Sequence, residues 1–467
     1  MIYFQNKCVH FIGIGGIGMS AIAEQLFVMG INVQGSNNVE NDNTRRLKEK
    51  GIKVFIGQDK PSVLDGVDVV IISSAIHSDN IELQEAKKRG LPIGHRSEML
   101  AQLMRYKQGI AVAVTHGKTT TSGMISHLMI EGGFDPSCII GGVMNNYNTN
   151  SVLGKSDWIV VEADESDGSF LRLNKQVAVV TNMDAEHLDY YKTVEHMNEA
   201  YLHFMNTTSF YGFCVVCTDH PVVKEWAAKV SNRKVISYGL QEGSFIQAIN
   251  LRFEVGRLLF DVKKGDTVYK DFVLPMFGVH NVLNALAAFA VVDELGMPVE
   301  KIREALSCFK GTQRRFTFCG SYNGALIYDD YAHHPEEIKA TLKAARQSVT
   351  SGKIIALFQP HRYSRFAELM DDFTKAFNDA DVLFVMDVYS AGEQPIVNIN
   401  KEAFIAKMKD KKDVYPVNNQ SDLIFQLKRI LQKDDMIIGL GAGDISKLMH
   451  QMEELLNNKE DVKCGNF

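Results

Sequence analysis

The stretch "AVAVTHGKTTTSG", residues 111–123, places Gly117, Lys118 and Thr119 directly after an apolar run. Gly-Lys-Thr is what a loop for a nucleoside triphosphate needs, because the lysine reaches the β- and γ-phosphates and the following hydroxyl holds Mg²⁺. The glycine that usually opens such a loop, five positions before Gly117, is replaced here by Val112. Backbone N–H groups and a helix dipole bind phosphate without it, so the stretch reads as a short variant of the loop. Two acidic clusters follow: "WIVVEADESDGSF" ends in Glu162, Asp164, Glu165 and Asp167, and "VAVVTNMDAEHLD" in Asp184, His187 and Asp189. Carboxylates and an imidazole at the carboxyl ends of neighbouring parallel strands converge on the crevice where such sheets bind ligands. Mg²⁺, which takes oxygen ligands and keeps water beside nucleotide phosphates, suits that chemistry.

A second phosphate candidate lies near the start, where Gly13, Gly15, Gly16 and Gly18 follow the strand-like "CVHFI" and open a helical pattern. The spacing fits a diphosphate at a helix N-terminus, and equally fits glycines that only tighten a turn. An NAD site asks for an acid about twenty residues on. Ser36, Asn37 and Asn38 stand there instead, which favours a different diphosphate ligand.

The elements that must position these residues alternate strand and helix, the pattern of a parallel sheet with crossover helices. "CVHFIGIGG" leads into "MSAIAEQLFVMG", and "DVVIISSAI" precedes "NIELQEAKKRG". A second such unit opens at "GIAVAVTHGKTTTSG", and a third at "GALIYDDYAHHPEEI" with the strands "KIIALFQPH", "DVLFVMDVY" and "DMIIGLGAGD". The expected architecture is α/β in three domains, 1–107, 108–320 and 321–467. At 467 residues the chain exceeds one ordinary core. A net charge of -6 gives no basic face for nucleic acid. No membrane-length apolar run and no signal-peptide pattern are present, so a cytoplasmic location is the expectation. The seven cysteines are scattered. Cys214 and Cys217 have zinc or redox spacing, but their apolar setting between Gly212 and Asp219 reads as a buried strand.

Taken together, "GIGGIGMSAIA", "THGKTTT", "EADESDGSF", "TNMDAEHLD", "GVHNVLNALAA", "GTQRRF", "DDYAHHPEEI", "FQPHRYSR" and "GAGDI" resemble the Mur ligase family, and most of all its alanine-adding branch. The resemblance runs in order over nearly the whole chain. It implies a Rossmann-like domain for the UDP part of UDP-N-acetylmuramate, a P-loop-type ATPase domain with a mostly parallel sheet, and a Rossmann-like third domain for L-alanine. It implies ATP with Mg²⁺, or Mn²⁺ in its place, no membrane partner, and a monomer or homodimer. Position by position, Gly13, Gly15, Gly16, Gly18, Met19, Ser36, Asn37, Ser73 and Ser74 would serve the UDP substrate. Thr115, His116, Gly117, Lys118, Thr119, Thr120, His280, Asn281, Asn284, Arg314, Arg315 and Asp330 would serve ATP. Thr119, Glu162 and His187 would hold the metal, and Tyr331, His333, His361, Arg362 and Arg365 the amino acid. Lys118, Glu162, His187 and His333 would be the catalytic groups.

Three positions depart from the family's strings. Val114 stands where glycine usually precedes the Thr-His-Gly-Lys loop, Asn37 where aspartate is usual, and Glu186 for an aspartate before His187. If the site requires a glycine-only backbone at Val114, a β-branched residue there strains it. That strain would turn the chain into an impaired nucleotide-sugar-binding homologue. The other alternative is the sister activity that attaches an intact peptide.

Overall fold

Apolar runs bounded by glycine, aspartate or lysine become strands that are buried along their length, as expected of parallel sheets covered on both faces. The computed structural model describes residues 6–254, 257–349, 351–408 and 413–458. The outermost residues of the expected first and third segments, 1–5 and 459–467, lie outside the described residues. The chain divides into two compact units, one of Met1–Asn250, Phe260–Phe272 and Leu283–Lys310, the other of Leu251–Leu259, Val273–Val282 and Gly311–Phe467.

The first sheet is built from β1 (Cys8–Ile12), β2 (Asn32–Asn37), β3 (Lys53–Ile56), β4 (Val69–Ile72) and β5 (Ile93–His95). Its order is β3-β2-β1-β4-β5, all parallel. The glycine turn leaves β1, the first strand of this doubly wound sheet, and enters the helix Ile17–Val28.

The second sheet comprises β6 (Gln108–Val112), β7 (Ser137–Met144), β8 (Thr149–Val152), β9 (Trp158–Glu162), β10 (Val177–Val180), β11 (Phe213–Cys217), β12 (Lys234–Gly239), β13 (Ile246–Glu254), β14 (Arg257–Lys264) and β15 (Thr267–Leu274). Their order is β15-β14-β13-β12-β11-β10-β6-β9-β7-β8. β6 is parallel to both its neighbours, with Val112 beside Glu162 on β9 and beside Val179 on β10. The register therefore brings the phosphate loop, the Glu162 cluster and the His187 cluster to one sheet edge. Cys214 and Cys217 lie on β11, wholly buried, as a structural strand.

The third sheet holds β16 (Thr317–Tyr322), β17 (Ala325–Asp330), β18 (Ile354–Phe358), β19 (Val382–Val385), β20 (Asp413–Pro416) and β21 (Met436–Leu440), in the order β16-β17-β21-β18-β19-β20. Only the β16–β17 pairing is antiparallel in this sheet among the described residues. A boundary at 320 would cut β16. The last segment of the second unit begins at Gly311.

Candidate active site

The carboxyl end of β6 runs through Ala113 and Val114 into the phosphate loop, and both residues are fully buried. Val114 keeps a negative φ, which corrects the expectation of strain there. Its side chain packs in the core while its carbonyl accepts a hydrogen bond from Lys118 Nζ at 2.6 Å. The conformation that demands glycine falls at Gly117 instead, with φ +89° and Asn284 only 3.3 Å from where a Cβ would stand. Gly117 leads into the helix Lys118–Gly132, and no side chain among the described residues caps it. The first-turn N–H groups of such a helix are open to an anion. Asn182 holds the loop: Oδ1 accepts from His116 N–H at 2.7 Å and Nδ2 donates to the His116 carbonyl at 2.7 Å. Thr115 Oγ1 accepts from Asp184 N–H at 2.9 Å, and the Thr121 hydroxyl donates to Asn284 at 3.0 Å. Thr115, Thr119, Thr120 and Asn284 are all buried.

Lys118 also reaches Glu165, with Nζ 2.6 Å from Oε1, and His187 Nε2 lies 3.6 Å from the same oxygen. The second oxygen of Glu165 is buried with no hydrogen-bond partner among the described residues. This acid was not singled out from its cluster by the sequence, because several carboxylates within a few residues look alike until the backbone fixes which one turns inward. Glu162 accepts from Gly141 N–H at 2.7 Å and from the Ser122 hydroxyl at 3.1 Å. Burial raises the Glu162 pKa, while those bonds, the Lys118 charge and Thr119 oppose the rise. The hydrogen bond to Glu165 raises the pKa of His187 above its ordinary value, against its burial.

One cavity of about 400 Å³ joins the first two sheets. Gly16, Gly18, Met19, Ser73 and Ser74 line it from the first, Lys118, Glu162 and Asp164 from the second. Arg96, which the sequence reading passed over, also lines it and pairs with Asp164 at 2.6 Å. Gly13, Gly15, Ser36 and Asn37 do not line this cavity. Ser36 is fully buried and donates to Glu82 at 2.5 Å, while its carbonyl accepts from the N–H groups of Gly13 and Ile14. Asn37 Oδ1 accepts from Gly15 N–H at 3.0 Å. The Ser36 carbonyl and the Asn37 side chain hold the glycine turn from behind.

In the second unit, the segments leaving β17 and β18 carry the expected amino-acid residues. The rings of Tyr331 and His333 are 5.1 Å apart, and those of His333 and His361 are 5.8 Å apart. Burial pushes both imidazoles down to about 4, so they are neutral at pH 7. His333 Nδ1 lies 2.9 Å from the Tyr331 carbonyl and must donate to it, which leaves Nε2 with its lone pair. His334 caps the helix Pro335–Ser348 in a capping box with Glu337. Arg362 is half exposed. Arg314 and Arg315 lie over the Tyr331 ring, at 4.7 and 5.3 Å. Arg314 donates to the carbonyls of Gly441 at 2.7 Å and Gly443 at 3.1 Å. Asp330 is buried, with its carboxylate accepting from Phe316 N–H and Ala332 N–H, both at 2.8 Å, and burial pushes its pKa up to about 6. In this structure Arg314 therefore braces the loop after β21, and Asp330 ties the backbone at Phe316 to that at Ala332. His280 is exposed, and Asn281 donates to the Phe277 carbonyl at 2.7 Å.

A glycine turn and a lysine-bearing phosphate loop opening on one cavity define a nucleotide-using α/β enzyme. Three family models match in succession: "Mur ligase family, catalytic domain" over residues 8–108, "Mur ligase middle domain" over 112–292, and "Mur ligase, glutamate ligase domain" over 314–443. The chain belongs to the Mur ligase family, whose members are ATP-dependent ligases. It is 47% identical to the UDP-N-acetylmuramate–L-alanine ligase of Chelativorans sp. (strain BNC1), covering 96% of this chain and 98% of that one. It is 48% identical to the enzyme of the same name from Bradyrhizobium sp. (strain BTAi1), covering 94% and 95%. The crystal structure of UDP-N-acetylmuramate–alanine ligase from Thermotoga maritima is similar at a TM-score of 0.81 and 28% identity, over 96% of this chain and 99% of that chain. A murein peptide ligase from Psychrobacter arcticus, at 22% identity and a TM-score of 0.72 over 97% and 99%, shares the fold.

Proposed function

We propose that this chain joins L-alanine to the lactyl carboxylate of UDP-N-acetylmuramate at the expense of ATP, a step in making peptidoglycan precursors in the cytoplasm. The observation that carries this reading is the shared cavity, in which the glycine turn and Ser73 and Ser74 face Lys118 and Glu162. A nucleotide sugar bound on the first sheet there has room to present its carboxylate to the phosphate loop. Carboxylate is a poor electrophile, so the γ-phosphoryl group of ATP is transferred to one of its oxygens and ADP leaves. The alanine nitrogen then attacks the carbonyl carbon, the C–N bond forms and phosphate departs. Most of the work of such a transfer is positioning and charge neutralisation.

Lys118, released from Glu165, clamps the transferring phosphoryl group, and the N–H groups of the loop cradle the ATP phosphates. Thr119, Glu162 and His187, joined by Glu165, would hold Mg²⁺. The unsatisfied buried oxygen of Glu165 fits a cation. When bound, the metal screens the phosphate charge. His333 Nε2, kept unprotonated, accepts the proton that the amine gives up, and Arg362 and Arg365 take the alanine carboxylate. Alanine is favoured over an intact peptide by the similarity to alanine ligases at 47% and 48% identity.

Substrate carrying ¹⁸O in the lactyl carboxylate tests this route. One ¹⁸O per turnover should appear in the released phosphate. Phosphate without label would exclude the acyl phosphate.

A further inference from the structure

We propose that Glu393 is a positioning residue for the amino-acid site, strapping the loop after β19 across the loop after β18 and so fixing Arg362 in its binding conformation. The inference rests on the reading that Arg362 and Arg365 receive the alanine carboxylate.

Arg362 has φ +70° and ψ 131°, a combination that residues with a side chain rarely adopt. Such a conformation persists only where its surroundings impose it. The surroundings here come from residues 389–393. Arg362 N–H donates to the Tyr389 carbonyl and Tyr389 N–H donates to the Pro360 carbonyl, each at 2.8 Å. The Tyr389 ring stacks on His361 with centroids 5.5 Å apart and planes 10° from parallel. Behind it, a Cβ on Gly443 would collide with Tyr389. Glu393 closes the strap: Oε2 accepts from Ser364 N–H at 3.0 Å, Oε1 from the Ser364 hydroxyl at 2.7 Å, and Arg362 Nε is 4.0 Å from Oε1. Its own N–H donates to the Ser390 carbonyl at 3.0 Å, which tightens the turn that presents the carboxylate.

One carboxylate thus holds Ser364, two residues after the strained position, through its backbone and its hydroxyl, and screens one edge of the Arg362 guanidinium. The rest of that guanidinium is left to a ligand, on a side chain that is 53% exposed. The neutral imidazoles of His333 and His361 do not compete with it as cations. The fitting ligand is a free α-amino acid, whose carboxylate makes charge-assisted bonds with a fixed arginine. Without Glu393, Arg362 relaxes and the amino acid must order it on binding, which costs affinity but leaves the chemical groups in place.

Glu393→Ala and Glu393→Gln, measured as full chains, test this, with Arg365→Ala alongside. Expected is a rise in the KM for L-alanine of about 10-fold in Glu393→Ala, which corresponds to one lost charge-assisted contact. Glu393→Gln, which keeps one acceptor for Ser364, should fall between that variant and the parent. The KM values for ATP and UDP-N-acetylmuramate and the kcat at saturating alanine should hold. An unchanged alanine KM in Glu393→Ala, with Arg365→Ala raised, overturns the inference alone. An unchanged alanine KM in Arg365→Ala overturns the amino-acid site itself. A joint rise of all three KM values in Glu393→Gln would assign Glu393 to general stability and overturn the positioning role; if Glu393→Ala does not fold, Glu393→Gln decides by the same readouts.

Discussion

Val114→Gly separates a strained phosphate loop from a relaxed one. The valine is fully buried two residues past the end of β6, and its φ is negative. Removing its side chain gives up about 1.5–3 kcal/mol of apolar burial. Glycine in extended backbone adds an entropic cost of about 0.5–1 kcal/mol. The sum, roughly 2–4 kcal/mol, should appear as a lower urea midpoint, with a partly collapsed cavity giving the smaller value. No compensating gain is expected at the nucleotide, because the Val114 carbonyl already accepts from Lys118 and the left-handed position is Gly117. Titration calorimetry with ATP and a steady-state assay on both forms provide the check. Tenfold tighter ATP binding, or higher turnover with unchanged stability, would refute the reasoning, since either requires strain that valine imposes.

Lys118→Ala should lower kcat by at least about 10³-fold, with UDP-N-acetylmuramate affinity retained in calorimetry, since the lysine acts on the transferring phosphoryl group. Equal loss of nucleotide-sugar binding would move the lysine out of that role. Arg365→Ala should raise the alanine KM about 10- to 150-fold, the equivalent of roughly 1.5–3 kcal/mol for a hydrogen bond to a charged group, and a KM change confined to ATP would misplace the pocket. His333 and His361 sit at about 4 in the folded chain against 6.5 ordinarily, so the unfolded chain protonates first as pH falls. Their contribution to stability is complete above pH 6.5 and is lost as pH drops through that value toward 4. Asp330, raised to about 6 from 3.8, works in the opposite sense between those two values. The readout is therefore the difference between the parent and a His333→Gln/His361→Gln variant in urea midpoint from pH 7 to 5, and parallel slopes would refute it.

The chemistry-bearing loops were legible because they hang on short apolar strands with unambiguous ends. "WIVVE" and "VAVV" became β9 and β10, "AVAV" runs from the end of β6 into the loop, and a parallel register then forces the following residues together. What escaped was of two kinds. The strands β13, β14 and β15 mix buried and exposed residues without a regular alternation and carry charged residues such as Glu254, Lys263 and Lys270. With no helix between them, they do not announce themselves in a strand-helix chain. The second kind concerns side-chain direction. Ser36, Asp330 and Arg314 occur in the right strings, yet the Ser36 hydroxyl is taken by Glu82 and Asp330 and Arg314 turn to backbone groups of the surrounding loops, whereas Glu165 and Arg96 turn to the site from positions with equally plausible neighbours. Sequence spacing gives the strand that a residue belongs to; only packing gives the direction in which a residue beyond the strand end points.

The most direct measurement of the central claim is phosphate release by the purified chain with ATP, Mg²⁺ and UDP-N-acetylmuramate, with and without L-alanine, while the amide product is followed by mass spectrometry. The account predicts sustained phosphate release only when all are present, with one UDP-N-acetylmuramoyl-alanine formed per phosphate. Sustained hydrolysis of ATP without L-alanine, or turnover in which no amide product accumulates, would contradict it.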